Sequence, residues 1–234
     1  ECWGEGTATF MILGNICTRS CQFCGVKTGR PGIVDWGEPL KVAKSIQIMN
    51  VKHAVVTSVD RDDLKDGGAS LWVETVKSIR KLNPTTTLET LIPDFKGENK
   101  DLDKIIEVMP EVISHNLETV RRLTREVRVQ AKYDRSLYVL KYLKDQGVNR
   151  TKSGIMLGLG ETEGEVFETL HDLRDANVDV VTIGQYLQPS KKLLQVKEFI
   201  KPEQFDKYAQ IAKDIGFIHV ESGPLVRSSY KAHK

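Results

Sequence analysis

Six times along this chain a short apolar run gives way to a stretch with helical spacing of apolar residues, the units recurring about every 30 residues. The apolar runs fall at residues 7–14, 53–59, 87–92, 112–117, 153–158 and 180–186. The helical stretches fall at 38–49, 67–82, 102–108, 136–143, 163–175 and 202–215. In the first of these Leu40, Ala43, Ile46 and Met49 share one face; in the second Leu71, Val73, Val76 and Ile79 do so less regularly. Such alternation predicts βα units joined by right-handed crossovers into a parallel sheet. Uninterrupted apolar runs, in place of strict apolar–polar alternation, mean strands covered on both faces. A doubly wound open sheet and a curled partial barrel both satisfy the pattern, and no Gly-x-Gly-x-x-Gly run marks the first of them. No linker, low-complexity segment or further repeat interrupts the chain, so residues 1–234 read as a single domain around one large core.

Directly after the first apolar run comes Cys17-Thr18-Arg19-Ser20-Cys21-Gln22-Phe23-Cys24, three of the chain's four cysteines at C-x3-C-x2-C spacing. Three thiolates this close can hold three corners of a cubane [4Fe–4S] cluster and leave the fourth iron open to a ligand. Zinc and a disulfide are the competing readings. Zinc sites pair one C-x2-C with a second or with histidines, whereas here the next histidine is His53. A disulfide belongs to an oxidising compartment, and the sequence shows no signal peptide. With Phe23 between the last two cysteines, the spacing resembles the radical S-adenosylmethionine (SAM) superfamily, in which SAM chelates the open iron through its amino and carboxylate groups. A cluster loop after the first strand favours the barrel, whose active face lies at the C-terminal ends of the strands. The expectation is an α/β fold, a partial (βα)6 TIM-like barrel of parallel strands, with the helix at 202–215 and the tail at 217–234 over its outside or mouth.

Polar residues should then gather at strand ends, and they do. Thr57, Ser58, Asp60, Arg61, Asp62 and Asp63 follow the second run; Ser114, His115, Asn116 and Glu118 end the fourth. Gly158, Gly160 and Glu161 end the fifth, and Gln185, Tyr186 and Gln188 the sixth. Each patch alone reads as solvated loop or turn; four in register with a cysteine loop point to a site. Asn116 and Glu118 suit hydrogen bonds to a ribose, Ser58 or Asp60 a methionyl ammonium, and Gln185 and Tyr186 the border of an adenine. Glycine at 158 lets backbone and ligand approach closely. His115 reads as a satisfied interior histidine, and Lys81, Arg121-Arg122 and Lys191-Lys192 as solvated surface. The last pair also suits an acidic protein partner.

Net charge is +2, from 34 basic and 32 acidic residues, too near neutrality to suggest nucleic acid or a polyanionic surface. With 40% hydrophobic and 28% charged residues the composition is that of a soluble globular protein. No apolar run reaches the roughly 18–20 residues of a membrane span. A reducing, cytoplasmic setting follows, or a mitochondrial or plastid one in a eukaryote. The chain opens at Glu1 rather than Met, which reads as a piece of a longer protein.

Two further stretches extend the likeness: Glu1-Cys2-Trp3-Gly4 at the front and Arg227-Ser228-Ser229-Tyr230-Lys231-Ala232-His233 in the tail. Together with the cysteine loop, Ser58-Val59-Asp60-Arg61-Asp62-Asp63-Leu64, His115-Asn116-Leu117-Glu118 and Gly184-Gln185-Tyr186-Leu187-Gln188-Pro189-Ser190, the chain resembles the lipoyl synthase family over essentially its whole length. That resemblance implies two [4Fe–4S] clusters with SAM. Cys17, Cys21 and Cys24 would hold the SAM cluster. An auxiliary cluster, the sulfur donor, would be held by C-x4-C-x5-C and one serine of the Arg-Ser-Ser-Tyr motif. Cys2 matches the last of those cysteines and Ser229, ahead of Ser228, the serine; the first two cysteines would lie upstream of Glu1. Oxygen is a harder donor than thiolate, which suits a ligand that lets go as the cluster is dismantled. The implied reaction places two sulfurs at C6 and C8 of an octanoyl chain amide-linked to a lysine, two SAM molecules serving each lipoyl group. The implied partners are an octanoylated lipoyl carrier domain or glycine-cleavage H protein, and a reductase, ferredoxin or flavodoxin as electron donor, with neither nucleic acid nor membrane. Read from the residues alone, Cys2 is a small buried thiol and the serines an exposed tail, so the front and tail assignments rest on the resemblance.

Overall fold

The apolar run that follows Gly6 becomes the first strand, β1 (Thr7–Ile12), and the chain then builds βα units in the order the periodicity dictates. The structure, a computed structural model, describes residues 6–229. These divide into two compact units, residues 6–19 with 26–114 and residues 20–25 with 115–229.

In the first unit β1 is followed by two short strands, β2 (Ile16–Cys17) and β3 (Lys27–Thr28), which pair with each other in parallel. Then come α1 (Glu38–Ile48), β4 (His53–Ser58), α2 (Ala69–Leu82), β5 (Thr87–Leu91), α3 (Asn99–Glu107) and β6 (Val112–Ser114). Strands β1, β4, β5 and β6 are neighbours in that order and all parallel, with Thr7 opposite His53, His53 opposite Thr87 and Glu89 opposite Val112. His53, Ala54, Val55 and Val56 are buried in succession, as a strand covered on both faces requires. The helices turn their apolar stripes inward: Val42, Ala43 and Ile46 from α1; Leu71, Trp72, Val76 and Ile79 from α2; Leu102 and Ile105 from α3. Each buried Val, Leu or Ile among them contributes roughly 1.5–3 kcal/mol, Ala43 less.

The second unit carries α4 (Thr124–Val127), α5 (Tyr133–Asp145), β7 (Thr151–Leu157), α6 (Glu163–Asp175), β8 (Val180–Gln185), α7 (Pro202–Asp214) and β9 (His219–Gly223). Strands β7, β8 and β9 run parallel in that order. Their core holds Leu170 and Leu173 of α6, Val181 and Ile183 of β8 and Phe205 of α7. Helix α6 begins where the sequence says it should: Thr162 accepts the N–H of Glu165 while the Glu165 carboxylate accepts the N–H of Thr162, a capping box.

The run at 112–117 is split. Strand β6 ends at Ser114, and residues 115–118 instead pair beside β7, with His115 N–H donating to Lys152 O and Glu118 N–H to Gly154 O. The tail also departs from expectation: residues 219–223 form β9 against β8 where only a cover was foreseen. His219-Val220-Glu221-Ser222-Gly223 is too polar to register as an apolar run, and each residue is only half-buried, as suits the last strand of a row.

Candidate active site

The cysteine loop leaves β1 through a tight turn. Leu13 and Gly14 both have positive φ, +68° and +88°, and the Leu13 N–H donates to the Glu38 carboxylate at 2.6 Å. Gly68 is glycine for the same reason, since a Cβ there would lie 2.6 Å from Leu13 Cδ1. Thr18 then ties the loop to the end of β4, its N–H donating to Asp60 O at 3.0 Å and its hydroxyl to the same oxygen at 2.9 Å. Cys17 Sγ accepts two backbone N–H groups, from Asp60 at 3.3 Å and Arg19 at 3.4 Å. Arg19 is itself buried and ion-paired with Asp60, Asp62 and Asp94. At the end of β4, Thr57 and Ser58 are partly buried, and the Ser58 hydroxyl oxygen is buried without a hydrogen-bond partner.

In the second unit the other two cysteines sit on a turn closed by Cys24 N–H donating to Cys21 O at 3.2 Å. That turn is fixed on both sides, Gln22 N–H donating to Val127 O at 2.8 Å and Leu194 N–H to Gln22 O at 3.1 Å. Phe23, the residue between Cys21-Gln22 and Cys24, packs against the unit's core and anchors the turn. All three cysteines of the loop are partly exposed thiols.

The strand-end residues of this unit sort into two kinds. Asn116 and Glu118 face each other, Asn116 Nδ2 donating to Glu118 Oε1 at 3.1 Å, while Asn116 Oδ1 is buried with no partner. Gly154 makes room for them, because a Cβ there would stand 2.6 Å from Thr182 Oγ1 and 3.2 Å from Asn116 Oδ1. Glu118 adopts φ +67°, an uncommon conformation for a non-glycine residue. Burial pushes its carboxyl above the ordinary range, against the pull of Arg128 and of the Asn116 amide. Gln185 and Tyr186, by contrast, have their polar atoms engaged by backbone. Gln185 Nε2 donates to Leu157 O, Tyr186 O and Glu198 O, and its Oε1 accepts from Ile200 N–H. The Tyr186 hydroxyl donates to Leu194 O at 2.7 Å. Gly158, at φ +96°, lies under the same segment, where a Cβ would run into Gln185 Nε2 and Glu198 O.

Past β9 the chain turns through Val226 and Arg227, whose guanidinium donates to Gln185 O at 3.3 Å; Ser228 and Ser229 follow, both partly buried. Cys2 and Tyr230 lie outside the described residues. His115 is a satisfied interior histidine, its Nε2 2.9 Å from the Ser136 hydroxyl. Arg121 and Arg122 lie at the surface but are paired, with Asp134 and Asp172 and with Glu165. Three arginines are buried, Arg19, Arg61 and Arg128, and the sequence shows the burial of none of them. Arg128 donates to Leu117 O and to Ser136 Oγ, both at 3.0 Å. An arginine in a polar stretch carries no sign of burial; only the position of Arg19 between two cysteines marked it.

Comparison with known proteins bears on the same residues. The chain matches the Radical SAM superfamily over residues 11–173. It is 76% identical over all 234 residues to a lipoyl synthase of Flavobacterium johnsoniae, covering 81% of that protein. It is 75% identical, again over its whole length, to the mitochondrial lipoyl synthase of Nematostella vectensis, covering 80% of it. The fold is similar to that of the FeFe-hydrogenase maturase HydG from Carboxydothermus hydrogenoformans, with a TM-score of 0.71 at 14% identity over 95% of this chain and 63% of that one.

Proposed function

Because the chain belongs to the lipoyl synthase family within the radical SAM superfamily, we propose how its residues divide the family's work. The reaction inserts two sulfur atoms, at C6 and C8 of an octanoyl chain borne on a protein lysine, with SAM and a [4Fe–4S] cluster as cofactors. In our reading Cys17, Cys21 and Cys24 hold that cluster. The observation that carries it is Cys17 Sγ, which accepts the N–H groups of Asp60 at 3.3 Å and Arg19 at 3.4 Å. Two donors aimed at one sulfur suit a cluster-bound thiolate; Asp60 Oδ2, 3.8 Å from the same sulfur, accepts from the free thiol and gives up that contact when the cluster binds. When bound, the cluster and SAM supply a 5′-deoxyadenosyl radical able to take hydrogen from an unactivated C–H bond, chemistry that no side chain provides.

The chain's own part is placement. Buried polar atoms are normally paired, so the unpartnered Ser58 Oγ and Asn116 Oδ1 are suited to polar groups of a ligand. Ser58 or Asp60 takes the methionyl ammonium; Asn116 and Glu118 take the ribose hydroxyls. Thr57 stands next to Ser58 on β4, and Gly158 acts indirectly, admitting the Gln185 amide and the Glu198 carbonyl where a Cβ would stand. Gln185 and Tyr186 border the adenine by shape, their polar atoms being spent on backbone. Ser229, with Cys2, serves an auxiliary [4Fe–4S] cluster that yields the sulfur. Its place is supported by Arg227, which ties the serine turn to β8 through Gln185 O. Both compact units belong to one radical SAM domain, consistent with a superfamily match that spans them.

The substrate is an octanoylated lipoyl carrier domain or a glycine-cleavage H protein, and a ferredoxin, flavodoxin or reductase supplies electrons. Among the described residues no helix is long and apolar enough to cross a membrane, and the relative from Nematostella is named mitochondrial. The compartment in this reading is the cytoplasm, or the mitochondrion or plastid of a eukaryote. Anaerobic reconstitution tests it: a brown protein with roughly four irons per cluster whose electron paramagnetic resonance signal changes on adding SAM. Colourless, zinc-loaded protein would sink it.

A further inference from the structure

We infer that Arg19, clamped by Asp62 and Asp94, is a positioning residue that sets the reduction potential of the cluster held on Cys17; this rests on the assignment of Cys17 made above. Arg19 is the one long cation within the cysteine loop, and its side chain is only 4% exposed. Its guanidinium meets Asp62 as a fork, Nε to Oδ2 at 2.8 Å and Nη2 to Oδ1 at 2.9 Å. The same Nη2 donates to Asp94 Oδ1 at 2.6 Å, and Asp60 stands 3.3 Å from Nε. Asp94 is fully buried and also accepts the Lys96 N–H at 3.0 Å, which fixes it at the end of β5. Arg19 therefore joins the cysteine loop to the ends of β4 and β5.

The clamp acts on Cys17 through the backbone. The two N–H groups that reach Cys17 Sγ belong to Arg19 itself and to Asp60, residues that the clamp and Thr18 hold together. Hydrogen bonds to a cluster's sulfurs stabilise its reduced, more negative form and so raise its potential. Arginine is required for geometry as well as charge. Lysine offers one ammonium and cannot fork onto Asp62 while reaching Asp94. Loosening the clamp lengthens both N–H···S contacts and leaves net charge unchanged.

Two charge-conserving variants test this in the reconstituted protein, Arg19→Lys and Asp62→Glu. The readout is the midpoint potential of the SAM-responsive cluster, followed by electron paramagnetic resonance during a redox titration, beside iron content and the unfolding midpoint. The expected result is a lower potential in both variants with iron content close to that of the parent. Asp62 is 28% exposed and tolerates change better than Arg19, so Asp62→Glu decides the matter if Arg19→Lys does not fold. An unchanged potential in a cluster-loaded variant overturns the inference, as does loss of the cluster at an unchanged unfolding midpoint. A parent without a SAM-responsive signal, or a Cys17→Ala variant that keeps it, would instead overturn the assignment of Cys17.

Discussion

At the scale of single residues, the thiols of the cysteine loop were legible and their partners were not. Cysteine is scarce, so three in eight positions carry information by spacing alone. Cys17→Ala or Cys24→Ala is expected to abolish SAM cleavage and leave the protein short of cluster iron; a variant that still cleaves SAM at the parental rate refutes the ligand assignment. Gln185 shows the opposite case. Its place after an apolar run marks a strand end, yet nothing in the sequence says that its amide is consumed by Leu157, Tyr186, Glu198 and Ile200. Apart from the adjacent Tyr186, those partners are backbone groups 13 to 28 residues away, which sequence spacing cannot reveal. Gln185→Leu leaves the buried Tyr186 carbonyl without this partner, and an unsatisfied buried group costs about 1–3 kcal/mol. A fall in the unfolding midpoint of the apo protein checks this; a variant as stable as the parent, impaired only in SAM affinity, would show that Gln185 serves the ligand alone.

At the scale of elements, the apolar strands are legible, whether buried on both faces like β4 and β8 or partly exposed like β1, and the polar β9 is not. β4 and β8 announce themselves by the apolar runs Ala54-Val55-Val56 and Val180-Val181, whereas β9 is mostly polar and takes its pairing from β8. Helix α6 was readable to the residue because Thr162 and Glu165 state its start chemically. The Glu165 carboxyl is drawn down from its ordinary 4.5 to about 2, first by the Arg122 guanidinium and then by the Thr162 N–H. A depressed carboxyl contributes stability that is complete above its unfolded pKa and is lost as pH falls through the folded one. Amide protection at the start of α6, taken relative to the intrinsic exchange rate at each pH, should accordingly fall between about pH 4.5 and 2, and Glu165→Gln should remove that pH dependence. Thr162→Ala is expected to cost about 1 kcal/mol at neutral pH. Gly158→Ala costs more, about 1–3 kcal/mol for the strained φ, because its Cβ also meets Gln185 and the Glu198 carbonyl.

At the scale of the molecule, the periodic βα alternation declares the fold class, but the division of the chain at residues 114 and 115 falls inside what reads as a single apolar run. The two functions we assign fall on different residues, and that separation can be tested on the whole protein. In our assignment cleaving SAM draws on the three thiols of the cysteine loop, and inserting sulfur draws on Ser229 as well. An octanoyl-lysine peptide incubated with parent protein, SAM and a reductant should gain two sulfur atoms and lose two hydrogens from carbon by mass spectrometry. Ser229→Ala should still release 5′-deoxyadenosine and methionine, because the three thiols of the cysteine loop are kept, while the peptide gains no sulfur. Ser228→Ala, one residue earlier on the same turn, should give product. Lipoyl product from Ser229→Ala at the parental yield would remove the serine from the sulfur-donating site, and loss of SAM cleavage in that variant would mean that the two functions are not separable.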